Sequence, residues 1–337
     1  MSFIMNKDSV QDTPSNISLM DVSVIICCYN GKSRLRPTIE YIAQQQMDAA
    51  LKAELVFVDN ASTDGSGAFV QSLWDELGSD IELRVLREER AGLIYARECG
   101  VCAARGKYII FCDDDNWLRD DYLQTAYNLM QQLPNVGVLG GQSVLAPGVE
   151  APEWWVEQQG NFAVGKQLPQ SGNANERGFL YGAGMVTRTE LARRVFDDRY
   201  PFLLTGRKGT ECLSGEDSEY CMRTMLLGYD LYYSETLFYW HDVDPKRLTR
   251  EQLNKLLHSF EIGGKVLVKY LYAVSFNRRS KWDNFMLLIK RMLACVFVQP
   301  KYRPRKRELL YMQAFMCGLI KNDDTPWVII RDFARNA

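Results

Sequence analysis

Apolar residues recur along the first 140 positions in two alternating modes. Short continuous runs of β-favouring residues lie at 22–28, 55–59, 81–86, 108–112 and 136–141, and polar turns separate them from longer stretches. Runs of that length suit strands buried on both faces, and the intervening 32–47, 69–77, 91–105 and 121–133 have the length of helices. Gly106 stands where a helix C-cap belongs. Such alternation predicts βαβ units and an α/β fold, a mostly parallel central sheet flanked by helices. Right-handed crossovers then bring the strand ends carrying Tyr29, Asp59 and Asp113 to Asp115 to one edge, where open α/β sheets bind ligands.

Beyond Gly141 the alternation breaks. Residues 145–177 are rich in Gly, Pro, Gln and Asn and contain Trp154-Trp155; an irregular segment of that length in a compact domain is usually functional or mobile. Strand character returns at 179–187, where Gly182 and Gly184 permit close backbone approach. A short helix is expected at 191–196 and a polar loop at 206–214. A helix then follows from Gly215-Glu216-Asp217-Ser218 through 227, and two last strands at 231–233 and 237–240 end at His241. From 249 the pattern is helical, at 249–272, 283–297 and 305–320.

Composition adds exclusions. The chain has 337 residues, 47% of them hydrophobic and 24% charged, and a formal net charge of -2, so no global field favours nucleic acid. Nine cysteines are an odd number without framework spacing, and the opening residues do not read as a signal peptide. The expectation is a flexible tail at 1–21 and a reducing, cytoplasmic setting. Cys99 and Cys102 form a lone C-x-x-C inside a helical stretch, which reads as two small buried side chains rather than a zinc site. No apolar run reaches the length of a membrane span.

The densest chemistry lies where Tyr108-Ile109-Ile110-Phe111-Cys112 runs straight into Asp113, Asp114 and Asp115. Three crowded carboxylates repel one another unless a cation neutralises them. Mg²⁺ and Mn²⁺ favour hard oxygen ligands and often bind through one or two carboxylates plus a substrate diphosphate. The same residues also suit an acidic turn capping the helix that follows. On this stretch alone both readings are open.

Further motifs decide. Val22-Ser23-Val24-Ile25-Ile26 leads to Tyr29-Asn30, and Val58-Asp59-Asn60-Ala61-Ser62-Thr63-Asp64-Gly65-Ser66 follows. Then come Gly92, Ala96-Arg97, the three aspartates, Gly182-Ala183-Gly184 and Gly215-Glu216-Asp217. In this order and spacing, over roughly 22–241, the chain resembles the inverting family-2 nucleotide-sugar glycosyltransferases with the GT-A fold. The resemblance implies a Rossmann-like catalytic domain at 22–243, with a nucleotide-binding half at 22–141 and an acceptor-binding half at 142–243. The helical region 244–337 lies outside it.

It also implies roles. Asp59 resembles the carboxylate that accepts a hydrogen bond from the nucleotide base, commonly uracil; an Asx-turn is its alternative use, although Asn60 and Ser62 are available to hold that turn. Many relatives carry a second Asp where this chain has Asn60. Tyr29 resembles a residue lining the nucleotide pocket, an ordinary strand-end aromatic being its other reading, and Arg97 resembles one near the phosphates, a surface salt bridge being its alternative. Asp113 and Asp115 correspond to the family's Asp-x-Asp for Mg²⁺ or Mn²⁺, Asp115 being the direct ligand and Asp114 facing the ribose or solvent. His241 matches the region from which some metal-dependent GT-A enzymes supply a third ligand, and a structural histidine is the other reading. Asp217 resembles the catalytic base that takes the acceptor's proton, with Glu216 beside it; charge complementing a helix N-terminus is the bland account of both. Trp154 and Trp155 either stack on an acceptor sugar or pin the long loop.

The implied function is metal-dependent, inverting transfer of a sugar from a nucleotide donor, UDP-linked, to a saccharide acceptor, free or lipid-linked, in surface polysaccharide or glycan assembly. A nucleotidyltransferase is the rival enzyme class, but no Gly- and Lys-rich triphosphate loop is present. A scaffolding module that has lost turnover is the non-enzyme rival. The first strand leads into Tyr29-Asn30-Gly31 and not G-x-G-x-x-G, which disfavours a dinucleotide oxidoreductase. Arg278, Arg279, Lys281, Lys290, Arg291, Lys301, Arg303, Arg305, Lys306 and Arg307 make the C-terminal region basic around an apolar stretch at 285–298. Peripheral contact with the inner face of an anionic membrane and helices packed back on the catalytic domain are both open.

Overall fold

The computed structural model describes residues 20–208, 211–297, 303–317, 319 and 324–336. Most of the expected tail, 1–19, and Lys301 lie outside them. The alternation of the first half is realised as β1 (Met20–Cys28), α1 (Leu35–Ala43), β2 (Ala53–Asn60), α2 (Ser66–Leu77), β3 (Glu82–Glu88), α3 (Leu93–Ala103) and β4 (Gly106–Asp113). Side chains alternate between the two faces of each strand. Val22, Val24 and Ile26 of β1 pack with Leu35, Ile39 and Ile42 of α1, while Ile25 packs with Ala96 and Val101 of α3 on the other face. Two apolar cores, one on each side of the sheet, therefore follow from continuous apolar strands between amphipathic helices.

The chain continues through β5 (Asn116–Leu118), α4 (Tyr122–Gln132), β6 (Val136–Leu145), α5 (Trp155–Gln158), β7 (Gly172–Asn173), β8 (Met185–Arg188) and α6 (Thr189–Val195). A hairpin of β9 (Gly206–Lys208) and β10 (Glu211–Leu213) precedes α7 (Glu216–Leu226) and β11 (Asp230–His241). The main sheet runs β3-β2-β1-β4-β8-β6-β11-β5, with β7 on β11. Strands β3, β2, β1 and β4 are parallel neighbours. β8 lies antiparallel between β4 and β6, and β11 is parallel to β6. Cys28 stands opposite Asp59, and Cys27 opposite Asp113, so the functional strand ends do share one edge.

Several expectations change. Only Met185–Thr187 of the expected strand at 179–187 pairs, the strand running on to Arg188, because the backbone turns at Gly182-Ala183-Gly184, where the Met185 N–H donates to the Gly182 carbonyl. The loop at 206–214 contains the small hairpin, and the two last strands are one, irregularly paired between Tyr233 and Phe238. Cys99 is half-buried and Cys102 exposed, both free thiols, so the expected buried pair is not formed.

Four helices close the chain: α8 (Arg250–Asn277), α9 (Lys281–Phe297), α10 (Arg303–Met316) and α11 (Thr325–Asn336). Tyr270, Phe315, Trp327 and Phe333 join the core on the α3 and α7 side of the sheet, so α8, α10 and α11 do pack back on the sheet domain. A fully buried polar network pins α7 to α8. Tyr270 donates to Glu219 at 2.7 Å, and Arg223 donates to Glu219 at 2.9 Å and to the carbonyls of Val195, Tyr200 and Pro201. Satisfied on both sides, such a network fixes one arrangement of the helices. No helix among the described residues is long and apolar enough to cross a membrane.

Candidate active site

The turns after β1 and β2 are stitched together by their short polar side chains. The Asn30 N–H donates to Ser62 Oγ at 3.0 Å, and the Thr63 N–H donates to Asn30 Oδ1 at 2.8 Å. The Lys32 N–H donates to Asp64 Oδ2 at 3.0 Å. Asn30 holds φ 48°, a left-handed conformation that Asn tolerates better than most side chains. Tyr29 is left standing at the rim, 53% exposed, with its ring free to meet a planar ligand.

Asp59 is buried, and both its oxygens are engaged. Oδ1 accepts from the Ser62 N–H at 3.0 Å and Oδ2 from Arg87 at 2.9 Å. It therefore holds the turn that the sequence reading gave to Asn60 and Ser62. Asn60 instead anchors the β3–α3 connection, accepting from the Gly92 N–H at 2.9 Å and donating to the carbonyls of Glu88 and Arg90. An Asp there would lack those donors.

The three aspartates diverge. Asp114 is buried, and its carboxylate is clamped by Arg34 through Nε at 3.0 Å and Nη2 at 2.6 Å. That pair ties Asp114 to the β1–α1 turn and takes its carboxylate out of the solvent-facing position that was one of its two expected readings. Asp115 faces His241 Nε2 at 3.5 Å and Arg247 Nη1 at 3.4 Å. His241 is buried, and its Nδ1 has no hydrogen-bond partner among the described residues. Asp113 lies 3.8 Å from Arg97. Desolvation at the cleft floor pushes the Asp113 carboxyl up to about 6; Arg97 opposes the shift, and Asp115 and Asp217 add to it.

Asp217 sits in the first turn of α7, 120 positions after Arg97 in sequence, yet Arg97 donates to its Oδ1 at 2.5 Å. The Gly182 N–H donates to its Oδ2 at 3.0 Å. A Cβ on residue 182 would overlap the Asp217 carboxylate, which is why the close approach there needs glycine. The buried Arg97 guanidinium thus bridges Asp217 and Asp113, and it lies 5.3 Å over the Phe111 ring. It is a buried bridge and not a surface salt bridge. Each Asp217 oxygen keeps a second lone pair for an acceptor hydroxyl.

Glu216 accepts from the Gly215 N–H at 3.1 Å. Desolvation, then the neighbouring Asp217, pushes its carboxyl up to about 7 from 4.5. A raised carboxyl favours the folded state fully below about 4.5, and that contribution is lost as pH rises through about 7. Glu216→Gln keeps the uncharged shape, so it is expected to be more stable than the parent at pH 8 and equal to it at pH 4. Chemical denaturation at both values checks this, and equal midpoints at pH 8 would refute it.

Trp155 is buried with Phe162, Val164, Val243, Leu248 and Leu253, its ring 5.1 Å from that of Phe162. Trp154 packs on both rings and under Arg250, 5.3 Å away. The pair pins the long loop, and a buried Trp155 cannot stack on a sugar face. Four residues at the site escaped the sequence reading: Arg34, Arg87, Arg247 and Thr38, whose hydroxyl donates to the Asp114 carbonyl at 3.1 Å. Their partners are 28 to 132 positions away, so no local pattern announces them.

Among the described residues no group of three or more His, Cys, Asp or Glu side chains is placed to hold a metal by itself. The donor set nonetheless suits a hard divalent cation that takes its other ligands from a diphosphate. Asp113 and Asp115 are crowded carboxylates, and the buried His241 turns its Nε2 toward Asp115 at 3.5 Å.

A family model described as glycosyl transferase family 2 matches residues 23–196. Over 108 residues the chain is 33% identical to the glycosyltransferase GlyA of Streptococcus pneumoniae serotype 4, covering 32% of this chain and 14% of that one. Over 219 residues it is 26% identical to a glucosyl-dolichyl phosphate glucuronosyltransferase of Haloferax volcanii, covering 60% and 63%. The chain spans less than two thirds of the length of these curated relatives. In fold it resembles S. aureus TarS 1-349 in complex with UDP, with TM-score 0.52, 16% identity, and 94% and 91% of the two chains covered.

Proposed function

The chain belongs to glycosyl transferase family 2 and has the GT-A fold, and from that membership we propose that it transfers a sugar from a UDP-linked donor to a saccharide acceptor with inversion. The observation that carries the reading is the Arg97 bridge, which brings Asp217 of the second half to Asp113 at the ends of the parallel strands. A base on a later element facing the donor edge is what a single displacement needs. Asp217 takes the proton as the acceptor oxygen bonds to the anomeric carbon. The bond from that carbon to the diphosphate breaks, and its electron pair leaves with the nucleoside diphosphate.

In this reading Asp113, Asp115 and His241 would hold a Mg²⁺ or Mn²⁺ ion together with the diphosphate of the donor, Asp115 being the ligand that the family resemblance favours. When bound there, the ion neutralises charge on the departing diphosphate. Tyr29 and the Asp59 turn line the nucleotide side, Asp59 reaching the base with its remaining lone pairs. Glu216 lies on the acceptor side. We take 22–243 as the catalytic domain and 244–337 as a helical extension. A lipid-linked saccharide at the inner face of the membrane, in glycan assembly, is the acceptor class we favour; the Haloferax volcanii relative is named for a glucosyl-dolichyl phosphate.

Thermal unfolding with UDP, with a UDP-sugar and with UTP, each with and without Mn²⁺, tests the donor. A ligand that binds only the folded protein raises its melting temperature. Stabilisation by UDP that grows with Mn²⁺ is expected. Stabilisation by UTP alone would point to nucleotidyl transfer, and none by any nucleotide would overturn the donor site.

A further inference from the structure

Helix α9 is built inside out for a protein surrounded only by water. Its inner edge is largely polar. The Asn284 side chain donates to the Phe276 carbonyl at 3.0 Å, and Gln313 donates to the Asn284 carbonyl at 3.0 Å. Arg291 donates to Gln313 Oε1 at 3.0 Å, to the Leu309 carbonyl and to the Tyr272 hydroxyl. Leu288 is a buried apolar residue of this edge. The outer face carries Trp282, Phe285, Met286, Ile289, Met292 and Leu293, from 37% to 67% exposed. Spaced at three and four residues, these six form one stripe along the helix. A contiguous exposed apolar face of this kind marks a surface with a partner other than water.

Charge selects the partner. Between positions 278 and 307 there are ten Lys and Arg against the single acid Asp283, in a chain whose net charge is -2. Lys281 and Lys290 are exposed and by helical spacing flank the stripe on its two sides, and Arg278, Arg279 and, on α10, Arg305, Lys306 and Arg307 are exposed as well. Arg291, counted with them from sequence, is spent on holding α8, α9 and α10 together. An apolar face rimmed by cations is the form of a helix lying in the interface of an anionic bilayer. A second copy meeting the same face would oppose like charges across the contact.

We propose that α9 seats the protein on an anionic lipid surface, Trp282 to Leu293 entering the headgroup boundary and the flanking Lys and Arg meeting the lipid phosphates. This rests on and deepens the membrane-face acceptor proposed above. Vesicle binding needs neither donor nor acceptor, so its failure is separable from failure of UDP to stabilise the cleft.

The test is co-sedimentation of the full chain with phosphatidylcholine vesicles with and without phosphatidylglycerol, at low and high salt. Binding is expected only with phosphatidylglycerol and is expected to weaken with salt. Lys281→Gln and Lys290→Gln should each weaken it roughly fivefold. Phe285→Glu/Met292→Glu should abolish it, while the melting temperature and the response to UDP stay as in the parent. Absence of parent binding to anionic vesicles would overturn the proposal. So would light scattering that shows a dimer dispersed by Phe285→Glu/Met292→Glu, because the face would then be an interface between copies.

Discussion

Asp217→Asn is expected to lower sugar transfer by about a thousandfold while leaving the affinity for UDP unchanged. A positioned general base contributes on the order of 10²- to 10⁴-fold. Asparagine keeps the volume and one acceptor oxygen for Arg97 but cannot take a proton. It turns an amide N–H₂ toward the Gly182 N–H that now donates to the carboxylate at 3.0 Å, so a stability loss of about 1 kcal/mol should accompany the change. Initial rates at saturating donor, set beside UDP titration by calorimetry, separate the two effects. Near-normal transfer would remove Asp217 from the role of base, and a loss of UDP binding parallel to the loss of rate would make it a donor residue.

The parts of this site legible in the sequence were those carried by short, continuous patterns. Apolar runs ending in Tyr29, Asp59 and Asp113 were enough to place three turns on one edge, because parallel strands joined by helices leave little topological freedom. The glycines at 182 and 184 announced a close approach, though not what approaches, since the carboxylate beneath Gly182 comes from residue 217. The Asp-x-Asp pattern likewise gave no sign that its middle member turns to Arg34. That pairing depends on how α1 seats against β5, a tertiary fact. Trp154 and Trp155 stayed open between two readings because an aromatic pair in a polar loop reads the same whether it faces ligand or core. Only the neighbours Phe162, Val243 and Leu253 decide. Helix α11 was missed although Thr325-Pro326 is a fair helix start, and its apolar residues at 327, 330 and 333 are spaced to face one side.

The same distinction between local pattern and tertiary pairing makes Arg97 the more instructive mutation. Arg97→Met keeps the length and packing over Phe111 but removes the cation between Asp217 and Asp113. Breaking one partner of a buried ionic group typically costs about 3–5 kcal/mol. Arg97 is 7% exposed, but Asp217 and Asp113 are 30% and 41% exposed, which places the expected loss near the lower end, about 3 kcal/mol. Transfer should fall as well, because Asp217 loses the donor that orients it. Arg97→Lys keeps the charge without the planar fork, so it should recover much of the stability and little of the rate. The double variant Arg97→Met/Asp217→Asn supplies the decisive comparison. With one carboxylate neutralised there is less uncompensated charge, and the double variant should be more stable than the sum of the two single losses implies. Urea midpoints for the four proteins measure this coupling. Strict additivity, or an Arg97→Met protein as stable as the parent, would mean that the guanidinium does not hold the two halves of the site together.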